Sequence, residues 1–182
     1  VHQALVSSGW GWLDALPEPL FADRPVLAMA HVGALLSTGE IARVVDRLDA
    51  AERWLPATTD PDARAAAEAA GMVVRHTAVL SHLPSAIALH RAALASMAGD
   101  RATTMAHART ALAAATEDQP LERGAAGGIL GLTLWAEGDL DLAFDSWAAA
   151  VLDLERAGHR ADMLGGFMAM SEIRMTQGRL AD

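Results

Sequence analysis

Runs of apolar and small residues alternate along the chain with short polar junctions, and each run is long enough for an amphipathic helix. Val44, Leu48 and Ala51, for example, follow the three- and four-residue spacing that places apolar side chains on one helix face. Glycine can end a helix in the left-handed conformation, and a polar residue after it can begin the next helix. Four junctions have this form: Thr38-Gly39-Glu40, Ala98-Gly99-Asp100, Glu137-Gly138-Asp139 and Gln177-Gly178-Arg179. The pattern therefore predicts helix–turn–helix units.

The spacing of these junctions indicates an internal repeat. The last three junction glycines, Gly99, Gly138 and Gly178, are almost evenly spaced, whereas the interval from Gly39 to Gly99 is half as long again. A repeat of about 40 residues with one helix–turn–helix in each unit is typical of an α-solenoid, in which successive units stack on one another. We expect an all-α fold, an α-solenoid of antiparallel helix pairs.

We expect residues 1–182 to form a single helical-repeat domain. The chain stops where another helix should begin, and an array that ends in mid-repeat cannot cover its own core, so we expect a fragment of a longer protein. The predicted parts are the end of a preceding repeat at 1–23, helix pairs at 24–55, 84–116 and 121–157, an elaborated connection at 56–83, and an incomplete last repeat at 160–182.

The predicted connection contains a linker and a segment of weak pattern. Pro56 and Pro61 bound the linker, and Asp60 has the position of an N-cap for the helix that follows. From 71 to 83 the helical periodicity fades, because the apolar run at 72–74 favours β structure. We expect this segment to be partly irregular, and regular helices to resume at Ser85.

Composition excludes several chemistries. The chain has no cysteine, and all 14 of its basic residues are arginine, so thiolate sites, a phosphate-loop lysine and Schiff-base chemistry are excluded for these residues. The net charge of −9 argues against nucleic-acid binding through this segment. With no membrane-length apolar run and no signal-peptide pattern, we expect a soluble cytoplasmic protein without a membrane partner.

Residues 124–157 resemble a tetratricopeptide repeat. Gly131 has the position of that family's small helix-contact residue, Gly138-Asp139 that of its turn, and Ala143, Trp147 and Ala150 that of its small–aromatic–small stripe. The resemblance implies a right-handed superhelix of helix pairs. Only part of the pattern recurs around Gly99.

Two longer stretches, 12–40 and 131–180, resemble the helical sensor region of LuxR-family transcriptional regulators of the MalT type. In that family a signalling ATPase module precedes the helical repeats, and a helix-turn-helix DNA-binding domain follows them. The resemblance implies an effector-sensing and self-association module, with DNA binding in a C-terminal domain outside this segment. A stand-alone tetratricopeptide-like scaffold that holds a protein segment in its groove is the alternative.

The sequence gives little support for catalysis or for metal binding. His76, His82 and His90 are spaced too widely for helical metal ligands, which recur at three or four positions. The glycines from Gly124 to Gly131 follow no predicted strand, so they favour close helix packing over a phosphate cradle. The carboxylate pairs lie at helix ends, where they favour the helix dipole. We expect no enzyme activity, no cofactor and no metal.

Binding is expected on the concave surface, which the first helix of each unit would line. Trp135 offers an aromatic face for an apolar or sugar-like ligand. The methionines of the last helix either fill the core or form a contact face for a further repeat or a second subunit. The candidate residues for a small-molecule effector or a protein partner are Leu132, Trp135, Met168, Glu172 and Met175, with Arg75 and His76 from the connection.

Overall fold

The computed structural model describes residues 12–13, 15–75 and 77–179. In this part of the chain all regular structure is α-helical and no residue is in a strand, so the prediction of an all-α fold is confirmed. The helices are α1 Pro19–Ala22, α2 Pro25–Thr38, α3 Ile41–Glu52, α4 Pro56–Thr59, α5 Pro61–Ala69, α6 Thr77–Leu80, α7 Leu83–Met97, α8 Arg101–Ala114, α9 Pro120–Glu137, α10 Leu140–Arg156 and α11 Arg160–Thr176.

The chain forms two compact units, 1–83 and 84–182. In the first unit, α2 and α3 pack against each other and bury Leu35, Val44 and Leu48. Pro25 lies at the first position of α2, where its missing N–H breaks no helical hydrogen bond. The single domain expected over 1–182 stays a prediction.

A buried polar cluster joins these two helices. Arg47 and His31 are 6 % and 0 % exposed, and the Arg47 Nε donates a hydrogen bond of 3.3 Å to the His31 Nδ1. The guanidinium lies 4.1 Å from the centre of the Phe21 ring and also bonds the carboxylate of Glu18. That contact lowers the pKa of Glu18, chiefly through the hydrogen bond from Arg47.

The connection between the predicted repeats contains more helix than the sequence indicates. The Pro56–Thr59 segment, expected as a linker, forms the short helix α4, and Thr77–Leu80 forms α6 inside the segment expected to be irregular. Asp60 caps α5 as predicted, because its Oδ1 accepts hydrogen bonds from the backbone N–H groups of Asp62 and Ala63. Residues 72–74 are neither helix nor strand.

The second unit contains α7 to α11. Its core begins where alanines from three helices meet, Ala88 of α7, Ala111 of α8 and Ala126 of α9. It continues through α10 to Ile173 of α11, which is fully buried. Consecutive helices pack closely because their contact faces carry small residues, and α10 packs against both α9 and α11.

Glycine ends the helices as the junction pattern predicts. Gly138 has a φ of +88°, its N–H bonds the Trp135 carbonyl at 3.0 Å, and the Asp139 N–H bonds the Leu134 carbonyl at 3.0 Å. These two bonds define the Schellman closure of a helix. Among the described residues the same closure occurs at Gly39, Gly71, Gly99, Gly138, Gly158 and Gly178. The sequence interpretation missed the closures at Gly71 and Gly158.

A glycine-rich face of α9 accommodates the largest side chain of α10. An added Cβ at Gly131 would lie 2.6 Å from the Trp147 Cδ1, and one at Gly128 would lie 3.0 Å from its Cη2. From the other side, a Cβ at Gly166 of α11 would lie 3.1 Å from the Trp147 Cε3. The indole is therefore enclosed by three glycines, which confirms the prediction of close helix packing at Gly124 to Gly131.

Alanine substitution should have opposite effects at two helical glycines. Gly131→Ala should lower the free energy of unfolding by about 1–2 kcal/mol, because the cost of overpacking against Trp147 exceeds the gain in helix propensity. Gly165→Ala should raise it by about 0.5–1 kcal/mol, because its added Cβ meets no atom within 4 Å. Urea unfolding followed by circular dichroism measures both. Equal shifts of one sign would contradict the packing of Trp147.

Candidate functional site

A cavity of about 400 Å³ lies between α9 and α11, which are not consecutive in the chain. Trp147 and Leu154 of α10 form its floor. Its lining is apolar except for Asp162 and consists of Gly124, Ala125, Gly128, Ile129 and Leu132 of α9, the two floor residues, and Ala161, Asp162, Gly165 and Ala169 of α11. The volume is near the lower end of the roughly 300–1,000 Å³ that ligand pockets occupy.

Small residues on both walls create this space. Helix axes packed on one another are separated by about 8–10 Å, and side chains normally fill the groove between them. Here α11 presents Ala161, Gly165 and Ala169 at four-residue spacing, and α9 presents Gly124, Ala125 and Gly128. Because an added Cβ at Gly165 would meet nothing within 4 Å, the groove beside it is open.

The floor of the cavity is buried and carries, among the described residues, a polar atom without a hydrogen-bond partner. Trp147 is 9 % exposed, and within the described residues its Nε1 has no hydrogen-bond acceptor. Because indole nitrogen can only donate, this burial costs about 1–3 kcal/mol. The atom lies beside Gly131, so it belongs to the packing of α9 on α10 and not to the open side of the cavity.

Two acidic residues on the helices that line the cavity, Asp162 of α11 and Asp153 of α10, are paired. Asp162 accepts a contact of 2.6 Å from the Nδ1 of His159. Asp153, which is 6 % exposed, bonds Arg123 and Arg156, each at 3.2 Å. The cavity can thus contribute apolar contact area and shape, with little polar recognition.

The structure separates the residues that the sequence nominates for binding. Leu132 lines the cavity and is 51 % exposed, whereas Trp135 packs against the core of the second unit. Met168 and Glu172 are exposed on α11 but do not line the cavity, and Met175 lines a different groove. Arg75 is exposed in the first unit. His76 lies outside the described residues.

The cavity contains residues that the sequence interpretation did not connect. It assigned the glycines of α9 to helix contact and said nothing of Ala161 or Gly165. A signal was present, because three small residues recur at four-residue spacing in α11. Relating that stripe to α9 requires knowing that helices separated by a whole intervening helix face each other.

No described group of three His, Asp or Glu residues is arranged to hold a metal ion. In the described part of the chain, no helix has the length and apolar character needed to cross a bilayer.

The surroundings of His90 in α7 lower its pKa below the ordinary value for histidine. Burial lowers its pKa, and this effect is partly offset by the 2.6 Å contact of its Nδ1 with the Ala86 carbonyl and by the charge of Glu122. The folded state therefore disfavours the imidazolium form relative to the unfolded chain.

The stability of the chain should depend on pH through His90. An unfolded histidine binds a proton near pH 6.5 while the folded His90 resists it, so the free energy of unfolding should fall as the pH drops below about 6.5. His90→Gln should make this fall smaller. Urea unfolding between about pH 5.5 and 7.5 measures both proteins. Parallel curves for the variant and the unmodified chain would contradict the assignment.

Comparison with protein-family models, with curated proteins and with solved structures yields no match to this chain.

Proposed function

We propose that this chain is an effector-sensing and interaction module of a LuxR-family, MalT-like transcriptional regulator. In this proposal its helix pairs form a tetratricopeptide-like α-solenoid. Support comes from the resemblance over 12–40 and 131–180 and from the recurring Schellman closures, which give consecutive helices the same turn. A DNA-binding domain and an ATPase module would belong to the same protein outside these residues.

The observation that carries the sensing role is the cavity between α9 and α11. A ligand that contacts more than one helix pair can favour one packing of those pairs over another. This cavity touches two first helices and rests on Trp147 of the helix between them. A ligand bound in this cavity would contact α9, α10 and α11 at the same time.

The lining indicates the chemistry of the ligand. Alanine, glycine, isoleucine and leucine offer no hydrogen-bond donors or acceptors from their side chains, so affinity would come from apolar area and from the indole. A small, largely apolar molecule or a flat ring fits these contacts better than a highly charged metabolite.

A scaffold that binds a protein segment is the second candidate function. It is favoured by the exposed apolar side chains of α11, among which Leu164 and Met168 are each 60 % exposed. Contiguous apolar residues on a surface mark sites of protein interaction. Both candidates use the helical array for binding and neither requires a catalytic residue.

Filling the cavity should weaken ligand binding without unfolding the chain. A thermal-shift screen with small apolar and amphiphilic molecules should give hits, and Gly165→Trp should weaken those hits at least about tenfold because the new ring occupies the groove. Gly33→Trp is the matched control, because Gly33 is also a helical glycine whose added Cβ meets nothing within 4 Å. Hits that bind both variants equally would contradict the cavity as the site.

The sequence of the gene on either side of these residues tests the proposal of a transcriptional regulator. We expect the reading frame to encode a Gly-x-x-x-x-Gly-Lys-Ser/Thr phosphate loop upstream of these residues and a basic helix-turn-helix downstream. Sequencing the flanking DNA shows both or neither. A frame with neither contradicts the regulator proposal, and a frame made only of repeats supports the scaffold.

A further inference from the structure

The cavity between α9 and α11 has one charged side chain among the described residues that line it, Asp162. Asp162 belongs to the first turn of α11 and shares a helix face with Gly165 and Ala169, since residues three and four positions apart are neighbours on a helix surface. Its side chain is 59 % exposed, so a molecule that enters from solvent can reach it. The cavity therefore combines an apolar space with a single carboxylate.

Helices α9 and α11 run in the same direction on the two sides of the cavity. At the C-terminal end of α10, Leu154 meets Gly124 of α9, and its carbonyl accepts a bond of 2.9 Å from the His159 N–H, just before α11. At the N-terminal end of α10, α9 arrives through a short turn, and the Gln177 Nε2, just after α11, bonds the Asp141 Oδ1 at 2.8 Å. Both walls are thus antiparallel to α10.

This shared direction gives the cavity a charged end and an apolar end. Gly124 and Asp162, from the N-terminal parts of the two walls, line the end beside Leu154. Leu132 and Ala169 line the opposite end. The rise from Asp162 to Ala169 is about 10 Å, at about 1.5 Å per helical residue. A ligand that reaches both ends needs a polar group at one end and an apolar body of this length.

The carboxylate of Asp162 retains an oxygen for such a ligand. The His159 Nδ1 contacts the Oδ2 at 2.6 Å, whereas the Oδ1 accepts no hydrogen bond from the described part of the chain. An uncharged imidazole donates a hydrogen bond without neutralising the carboxylate. The existing contact therefore leaves both a negative charge and an acceptor atom at this end of the cavity.

The charges around Asp162 favour a cation over an anion. Arg123 and Arg160 are adjacent in sequence to lining residues but do not line the cavity themselves, and Arg123 is paired with Asp153 at 3.2 Å. A carboxylate attracts a cation and repels an anion. The net charge of −9 on the whole chain adds a field of the same sign.

We propose that this cavity binds a monocation with an apolar body, a protonated amine whose ammonium group pairs with Asp162 and whose apolar part, up to about 10 Å long, lies over Trp147. The inference rests on the proposed function, in which the cavity is the ligand site, and adds the charge and the length of the ligand. Apolar acids of the same size are disfavoured by the same carboxylate.

Three probes of similar length separate the effect of charge from that of apolar contact. Phenylbutylamine, phenylbutanol and phenylbutyrate, each with the phenyl ring at the end of the chain, are positive, neutral and negative at neutral pH. In isothermal titration calorimetry with the full chain, the amine should bind with a Kd below about 1 mM, at least about threefold more tightly than the alcohol and about tenfold more tightly than the acid. Added salt should weaken the amine and not the alcohol.

Matched variants of the chain locate the charge that selects the amine. Asp162→Asn should lower the affinity for the amine to that for the alcohol and leave the alcohol unchanged, a result that a purely structural role of Asp162 would not give. Asp145→Asn removes the same charge from an exposed position of α10 outside the cavity and should change neither affinity. Asp162→Arg should reverse the order, so that phenylbutyrate binds more tightly than the amine. Circular dichroism checks that each variant is folded.

The outcomes separate this inference from the proposal that the cavity is the ligand site. Equal affinities of the unmodified chain for the amine and the alcohol, or an unchanged affinity for the amine in Asp162→Asn, would overturn the inference and leave the cavity as the site. If no probe binds, or if Gly165→Trp binds all three as the unmodified chain does, both proposals fail.

Discussion

The packing of the second unit depends on the space that glycine leaves beside one indole ring. Burying a large aromatic side chain removes about 150–250 Å² from water, an upper gain of about 4–6 kcal/mol at about 25 cal/mol per Å². The three glycines around Trp147 lose about 1.5–3 kcal/mol of helix stability together. The gain exceeds that loss, although the unpartnered Nε1 reduces it. The same contact joins α9, α10 and α11 and forms the floor of the cavity, so packing and the candidate site share one residue.

Local features of the fold could be predicted from the sequence because short-range chemistry determines them. The left-handed glycines at the four junctions and the N-cap at Asp60 each depend on residues within one turn. The failures have a different origin. The short helices α4 and α6 interrupt a segment whose pattern is not helical, and tertiary packing stabilises helices too short to form alone. The buried Arg47 and His31 were likewise missed, because their pairing brings together residues from two helices.

The candidate site was harder to predict than the fold, for a geometric reason. The sequence places Leu132 on an exposed helix face from the repeat pattern, and in the structure Leu132 lines the cavity. Ala161 and Gly165 belong to a stripe of small residues that is visible in the sequence, but their importance lies in the space that they leave empty. Here the empty volume lies between α9 and α11, which approach each other across the helix α10 that separates them in the sequence. The approach of these two helices cannot be predicted from residue types and their spacing alone.

The recurring Schellman closures also bear on how the chain folds. Each closure is made by hydrogen bonds between residues of a single helical turn and its cap, so the residues that specify a helix end lie close together in the sequence. Neighbouring helices are joined by very short turns, so their contacts join residues that are close together in the sequence. Folds dominated by such short loops have low contact order and fold in microseconds to milliseconds. The helix pairs joined at these closures can therefore form with little entropic cost of loop closure.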